Sequence, residues 1–207
     1  MKLQNKKFIY LISPNHIYKN FYKDLHTILK TNKIAYFQLR LKNYSNKEIL
    51  IIGKKIKLIC LINKVKLIIN DKPKIAKILN ADGCHLGQSD TNIRNARKII
   101  KNKILGVTCH NSISLIKKAV DNKADYIAIG AFYPSATKKV KFIANTKIIG
   151  IAKKLTKRPI VLIGGINSLN YKNLLLHKPN FLAISGYVWN NKNLSPLEAI
   201  KKIAYEN

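Results

Sequence analysis

The sequence predicts an α/β protein, a single-domain (β/α)8 barrel over residues 1–207. Three observations support this. The chain has 207 residues, enough for one sizeable hydrophobic core and short for two. Eight short apolar runs are spaced along it, and amphipathic, lysine-rich segments lie between them. Parallel strands joined by crossover helices give this alternation, and eight such units fit a TIM barrel near its lower size limit.

The elements follow in order along the chain. The apolar runs predict strands at 7–13, 34–41, 66–70, 83–87, 104–110, 126–132, 160–166 and 181–187. Helical periodicity is clear at 18–30, 46–59, 93–102 and 112–122. The third helix, near 73–80, must be short because the third and fourth strands are close in sequence. A doubly wound open sheet is the alternative, but it rarely needs eight parallel strands in so short a chain.

The charge of the chain is strongly positive. Its formal net charge is +30, from 39 Lys and Arg against nine Asp and Glu. Such residues neutralise phosphates in nucleic-acid binding. Only four of them are Arg, the residue that makes the commonest base-specific contact. Because the lysines are spread over nearly every helical segment, we interpret the charge as a compositional bias and expect no nucleic-acid partner.

The cysteines and the first residues indicate the compartment. Cys60, Cys84 and Cys109 are odd in number and far apart, which suits neither a disulfide framework nor a zinc site. The first apolar run is about six residues long, against the roughly 18 that span a bilayer, and no cleavage pattern follows it. We therefore expect a cytoplasmic protein without a membrane partner.

The second strand ends in a run of polar residues. By period-two alternation, Gln38, Arg40 and Lys42 lie on one side of this strand. The carboxyl ends of barrel strands share one face, where the chemistry of such proteins takes place. A buried Arg needs an anion, and the chain has only nine acids to provide one. The pattern therefore favours an anionic ligand at Arg40.

Two aspartates follow the third and fourth strands. Asn70 and Asp71 end the third strand, and Asp90 comes just after the fourth. Paired carboxylates beside cations suit Mg²⁺ shared with a phosphorylated ligand, because Mg²⁺ takes one or two carboxylates and completes its shell with water and phosphate oxygens. The alternative is that each aspartate caps the helix that follows it. The neighbouring basic groups favour the metal.

The fifth strand ends with Thr108 and His110. The hydroxyl of Thr108 can donate a hydrogen bond, and His110 has the chemistry of a general acid or base. A histidine at a strand end is more often a hydrogen-bonding group than a catalyst, so the role of His110 stays open.

The last three strand ends carry small and hydroxyl residues. Pro134 stops the sixth strand, and Ser135, Thr137 and Lys138 follow it as two hydroxyls and an ammonium group. Gly165 and Ser185 lie at the ends of the seventh and eighth strands, where barrels commonly bind phosphate. These residues predict a second anion-binding region on the same face.

The strand ends together resemble the thiamine-phosphate synthase family. The resemblance runs in order from the second strand to the eighth, through QLRLK, IIND, ADGCHLGQSD, ILGVTCH, ADYIAIGAFYPSATKK, PIVLIGGI and AISGY. It implies a (β/α)8 barrel that joins hydroxymethylpyrimidine diphosphate to a thiazole phosphate and releases diphosphate with Mg²⁺.

The resemblance also implies roles for individual residues. Pyrimidine diphosphate is expected on Gln38, Arg40, Lys42 and Asn70, and the metal on Asp71 and Asp90. Thr108 stands where the family usually has Ser. The thiazole phosphate and the diphosphate are expected on Ser135, Thr137, Lys138, Gly165, Ile184 and Ser185. Of these residues, Arg40, Lys42 and Lys138 would be catalytic.

Two other functions are weighed against the synthase. Regulatory or tautomerase relatives of the family act on the thiazole phosphate alone and can use a strand-end His, here His110. They tend to lose the diphosphate and metal residues, which this chain keeps. A basic RNA-binding protein is the other alternative. The sequence leaves open a homo-oligomer and whether the thiazole substrate carries a carboxylate.

Overall fold

Eight parallel strands pair in chain order and close into a barrel in the computed structural model, which describes residues 7–135 and 143–204. The barrel closes where β8 pairs with β1. The strands are β1 (Ile9–Ile12), β2 (Ile34–Leu39), β3 (Lys66–Asn70), β4 (Gly83–Leu86), β5 (Ile104–His110), β6 (Tyr126–Gly130), β7 (Ile160–Ile163) and β8 (Phe181–Ile184). The predicted (β/α)8 barrel is confirmed, and the open sheet is excluded.

The strand predictions are right in place but too long at several carboxyl ends. β6, β7 and β8 stop two or three residues before the apolar runs do. Phe132 and Ile166 extend two of these runs, and both lie in loops while being buried in the core. The length of an apolar run overestimates the length of the strand when the loop that follows the strand is also buried.

Helices connect the strands along the outside of the barrel. Signals in the sequence set several of their ends. Ser45 and Glu48 form a reciprocal capping box at the start of α2, and Pro73 begins α3, which has only six residues, as expected. The helices of the described ranges are α1 (Phe21–Leu29), α2 (Asn46–Ile62), α3 (Pro73–Ile78), α4 (Ile93–Ile100), α5 (Ile113–Asp121), α6 (Lys147–Leu155), α7 (Tyr171–Leu175), α8 (Gly186–Trp189) and α9 (Pro196–Ala204). Within those ranges, no helix is both long and apolar enough to cross a membrane.

The core has two layers, one on each face of the sheet. The larger layer lies between the strands and the helices, and it includes Phe37, Leu39 and Leu41. The smaller one fills the barrel, where Tyr10, Tyr126 and small aliphatic residues pack together. Alternate residues of each strand supply the two layers, so the interior positions that reach the carboxyl ends are the ones available to a ligand.

At the amino end of the barrel, the same type of hydrogen bond occurs before three even-numbered strands. In each case, the side chain of the residue before the strand accepts a hydrogen bond from a backbone N–H of the preceding strand. The acceptors are Asp82, Asp125 and Asn180, and the donors are Leu67, Leu105 and Ile160, at 2.8, 2.8 and 2.9 Å. Two of the nine acids are thus used for stability at the face opposite the predicted site.

Candidate active site

The end of β2 supplies three polar side chains of the predicted site. Gln38 is only 3% exposed and lies inside the barrel, while Leu39 and Leu41 pack into the outer layer. Lys42 is 54% exposed and reaches the carboxylate of Asp71 at 3.7 Å. The expected alternation from Gln38 to Lys42 is present, and it places a cation next to a predicted metal ligand.

Arg40 is fixed by contacts with the end of β1. Its backbone N–H donates to the Ser13 hydroxyl at 2.9 Å, and its Nη1 donates to Asn15 Oδ1 at 3.1 Å. Burial lowers the pKa of Arg40, and the neighbouring Asp71 raises it. An arginine remains charged throughout the accessible pH range, so half-burial leaves a partly desolvated cation at this rim. Sequence reasoning missed Ser13 and Asn15, because a lone Ser or Asn after a strand carries no distinctive signal.

Asp71 and Asp90 form a carboxylate pair at the ends of β3 and β4. Burial and, after it, the adjacent Asp90 together raise the pKa of Asp71 to about 6, against the lowering effect of Lys42. Asp71 has a φ of 61° and donates its backbone N–H to His85 O at 2.8 Å, so the positive-φ turn is anchored to β4.

Neither aspartate caps a helix, so the alternative weighed from the sequence is wrong. The N-cap of α3 is Lys72 and that of α4 is Asn92. Asp90 instead accepts the Gly87 N–H on Oδ2 at 2.8 Å and turns its carboxylate back toward the β4 end.

The carboxylate pair has the donor chemistry that Mg²⁺ requires. Two carboxylates match an ion that takes one or two carboxylates and completes its shell with water and phosphate oxygens. A Cβ placed at Gly87 would lie 2.5 Å from Asp90 Oδ2 and 4.0 Å from Asp71 Oδ1. The absence of a side chain there keeps space open between the two carboxylates.

A cavity of about 430 Å³ opens beside this pair. Leu39 and Ile69 form part of its apolar floor, and Lys42, Asn70 and Lys72 add polar groups to its wall. Asn70 therefore lies where the sequence placed it, next to the carboxylates. Leu39 and Ile69 belong to the outer layer, so the cavity adjoins the carboxylate pair from the helix side of the barrel.

A chain of buried hydrogen bonds crosses the barrel interior from Gln38 to Thr108. Gln38 Nε2 donates to Tyr10 OH at 3.0 Å, and Tyr10 OH lies 2.6 Å from Tyr126 OH. His85 continues the chain, with Nδ1 at 2.8 Å from Tyr126 OH and Nε2 at 2.8 Å from Thr108 Oγ1. Both ends of the chain are thus residues that the sequence assigned to substrate binding.

The members of this chain are electrically neutral. Burial lowers the pKa of His85 to about 4, and burial raises the pKa of Tyr10 and of Tyr126. Tyr126 fits because β5 has Gly106 opposite it; a Cβ at that glycine would overlap the phenol ring. The sequence analysis did not identify Tyr10, His85 or Tyr126. A histidine in the middle of an apolar run resembles any buried residue until its neighbours are known.

The opposite side of the rim is built from the ends of β7 and β8. Gly165 has a φ of 62°, and a Cβ there would overlap the Pro134 carbonyl oxygen. The absence of a side chain at Gly165 therefore allows the segment that leads to Ser135 to pack closely against it. Ser185 donates its hydroxyl to Ser13 O at 3.1 Å. Ile184 is buried in the outer layer, so any ligand contact from this residue must come from its backbone.

The sixth loop is only partly described. Ser135 is the last described residue before the gap, and the predicted Thr137 and Lys138 lie outside the described residues. His110 ends β5 with an exposed side chain and a φ of 50°. It lies past a register shift that separates it from Thr108.

A (β/α)8 barrel with polar and charged side chains gathered at its carboxyl-end rim has the architecture of an enzyme. A family model described as thiamine monophosphate synthase matches residues 9–188. The chain is 62% identical over 200 residues to the thiamine-phosphate synthase of Pelagibacter ubique, covering 96% of this chain and 97% of that one. It is 36% identical to the Rhodospirillum centenum enzyme of the same name, over 88% and 89% of the two chains. The chain belongs to the thiamine-phosphate synthase family and is a transferase of thiamine biosynthesis.

Solved structures agree on the fold. A thiamine phosphate pyrophosphorylase from Pyrococcus furiosus superposes with a TM-score of 0.83 at 24% identity, covering 98% of this chain and 96% of that one. A 3-hexulose-6-phosphate synthase from Salmonella typhimurium superposes with a TM-score of 0.70 at 13% identity, over 95% and 96%. These likenesses show the barrel alone. The sequence relatives support the synthase and give no support to the tautomerase or RNA-binding alternatives.

Proposed function

We propose that the carboxyl-end rim joins 4-amino-2-methyl-5-hydroxymethylpyrimidine diphosphate to a thiazole phosphate, with Mg²⁺ held by Asp71 and Asp90. The observation that carries the proposal is the cluster at the β2 and β3 ends. There, Lys42 contacts the Asp71 carboxylate, and Arg40 interacts electrostatically with the same carboxylate. Fixed cations beside a carboxylate pair suit a diphosphate that shares a metal ion with the protein.

The reaction breaks one bond and forms one. The carbon–oxygen bond between the pyrimidine methylene and the diphosphate breaks, and its electron pair leaves with the diphosphate oxygen. The electron-rich aminopyrimidine supports the methylene cation, and the lone pair of the thiazole nitrogen forms the new carbon–nitrogen bond. No protein base is required, which agrees with a rim rich in cations and hydroxyls.

The residues act by stabilising charge that develops on the departing diphosphate. Arg40 is partly desolvated and held by Asn15, so its charge needs less reorganisation during the reaction than a free side chain would. Lys42 reaches the same region from the next position on that side of the strand. Bound Mg²⁺ would add neutralisation of the diphosphate oxygens. Interactions that strengthen as the bond breaks accelerate the reaction, whereas those equal in both states do not.

The other predicted residues complete the two substrate sites. Gln38, Asn70 and Thr108 border the pyrimidine side. Ser135, Thr137, Lys138, Gly165, Ser185 and the backbone of Ile184 are assigned to the thiazole phosphate and the diphosphate. The assignment of Thr137 and Lys138 depends on the sequence motif alone.

The test is a coupling assay with both substrates, with and without Mg²⁺, read as thiochrome fluorescence after oxidation of the product. Product that forms only with both substrates and Mg²⁺ supports the proposal. Asp71→Asn and Lys138→Ala should each lower turnover about 100-fold or more. Asp121→Asn and Lys117→Ala, which change exposed residues of α5, are the matched controls. Near-normal turnover in both site variants would refute the assignment.

A cytoplasmic location is proposed on the state of the cysteines. Cys60, Cys84 and Cys109 are all buried and unpaired, as is usual in a reducing compartment. Cell fractionation followed by immunodetection tests this location, and recovery with the membrane or outside the cell would contradict it.

A further inference from the structure

We propose that His85 is a positioning residue that orients the Thr108 hydroxyl as a hydrogen-bond donor toward the anionic group of the bound substrate. Tyr126, Tyr10 and Gln38 set the tautomer of the His85 ring. The inference rests on the proposed function for the identity of that anion, the diphosphate.

The number of hydrogen-bond donors in the buried chain of hydrogen bonds sets the tautomer of His85. Gln38 Nε2 brings a hydrogen to Tyr10 OH, so the hydrogen of Tyr10 is available to Tyr126. Because Tyr126 OH then accepts from Tyr10, we assign its own hydrogen to His85 Nδ1, which lies 2.8 Å away. A neutral imidazole has one N–H, so the remaining hydrogen of His85 is on Nε2 and is donated to Thr108 Oγ1.

The direction of this chain determines what Thr108 can do. Because its oxygen already accepts from His85, the hydrogen of its hydroxyl is left for another acceptor. Thr108 is only partly buried and lies near the open end of the barrel, where a substrate anion is expected. With the opposite tautomer, the hydroxyl would donate to the ring and face the anion with lone pairs only. The chain of hydrogen bonds therefore orients the Thr108 hydroxyl as a donor, where it would otherwise rotate freely.

The surroundings of the ring support a fixed neutral state. His85 is 7% exposed, and its two nitrogens contact hydroxyl oxygens. The Tyr126 ring stacks on the imidazole at 19° with centroids 5.6 Å apart, which restricts ring rotation. Thr108 is also held through its backbone, because Gln88 Nε2 donates to Thr108 O.

Two substitutions of His85 separate its two hydrogen bonds. His85→Asn places an amide near the position of Nδ1 and keeps a partner for Tyr126, but it cannot reach Thr108. His85→Gln extends the amide toward the position of Nε2 and can still donate to Thr108. We expect His85→Asn to lower kcat about 10- to 100-fold with little change in the KM for the thiazole phosphate, and His85→Gln to retain more activity.

A double-variant cycle tests whether His85 acts through Thr108. Thr108→Val removes the hydroxyl, and Thr108→Ser keeps it, so the Ser variant should retain more activity than Val. In the Thr108→Val background, His85→Asn should cause little additional loss. Losses that multiply in the double variant would overturn the proposal, as would a His85→Asn variant with kcat within about threefold of the parent.

A matched pair of tyrosine variants tests the other end of the chain. Tyr126→Phe removes the hydroxyl between Tyr10 and His85, and we expect it to lower kcat. Tyr36→Phe removes a hydroxyl from the same aromatic cluster, outside the chain, and should leave kcat unchanged. Equal effects of the two variants would contradict the proposal.

An NMR measurement distinguishes failure of this inference from failure of the proposed function. The tautomer is read on nitrogen-labelled histidine in the full-length protein, with the His85 signal identified by its loss in His85→Gln. We expect the Nε2–H form in the parent and a mixture in Tyr126→Phe. An Nδ1–H form in the parent overturns the inference even if thiamine phosphate is made. Absence of coupling by the parent protein refutes the proposed function without affecting the tautomer result.

Discussion

Asp71→Asn should abolish efficient coupling and yet stabilise the metal-free protein. The two carboxylates of Asp71 and Asp90 lie close enough for Asp90 to raise the pKa of Asp71, and burial raises it more. In the absence of Mg²⁺, this arrangement destabilises the native state at neutral pH, because the unfolded chain ionises Asp71 freely. An amide of the same shape removes the repulsion together with the metal ligand.

The size of the stabilisation expected for Asp71→Asn follows from the raised pKa of Asp71. A rise from 3.8 to about 6 corresponds to about 3 kcal/mol at pH 8 before screening. The effect of Lys42 is already part of that rise, and the Asp71 side chain is 19% exposed, so screening by solvent and salt reduces the value to about 1–2 kcal/mol. Because the folded-state pKa is raised, the penalty is complete above about pH 6 and disappears below about pH 4, where both states are protonated.

Thermal unfolding in EDTA at two pH values measures this effect. At pH 8, we expect the Tm of Asp71→Asn to exceed that of the parent by about 3–6 °C, with a smaller difference at pH 5. Mg²⁺ should raise the Tm of the parent and leave the variant nearly unchanged. Asp121→Asn controls for the loss of one acid in a +30 chain. A lower Tm for metal-free Asp71→Asn at pH 8 would refute the reasoning.

Two further predictions concern the loop side and the amino end of the barrel. Gly165→Ala should lower the free energy of unfolding by about 1–3 kcal/mol and raise the KM for the thiazole phosphate, because a side chain there meets the Pro134 carbonyl in a left-handed backbone. Urea denaturation and coupling kinetics measure both effects, and unchanged values would contradict the role of this glycine. Asp125→Ala should cost about 1–3 kcal/mol of stability, chiefly because the N–H of Leu105 loses its acceptor, and the partly exposed ion pair with Arg97 adds less, with kcat unchanged. A fall in kcat without a change in the unfolding midpoint would contradict the separation of the two faces.

The fold and half of the rim could be predicted because their signals are local. Period-two alternation places Gln38 inside the barrel and Leu39 outside, and that rule needs only a few residues of sequence. Asp71 and Asp90 meet because neighbouring parallel strands end side by side, a consequence of chain order alone. Both inferences depend on the fold class and on no side-chain detail.

The buried chain of hydrogen bonds from Gln38 to Thr108 could not be predicted because its contacts join residues far apart in sequence. Tyr10 and Tyr126 are separated by 116 positions, and Tyr126 and His85 by 41. Each of these residues alone fits an apolar strand with no special role. Gly106, which makes room for the Tyr126 ring, carries no sequence mark of that function. Such a network is a property of packing inside the closed barrel, and it becomes visible only when the register of β4, β5 and β6 is known.

The net charge of +30 gives no guide to the electrostatics at the carboxylate pair. A field from 39 basic residues would lower the pKa of a carboxyl group if it acted unscreened, yet the pKa of Asp71 is raised. Charges separated by more than about 10 Å are largely screened at ordinary ionic strength, so burial and the adjacent Asp90 outweigh the distant lysines. Lys42, at 3.7 Å, opposes them only in part. The residual repulsion between the two carboxylates is therefore available to favour a divalent cation, and it would persist if many of the exposed lysines were replaced.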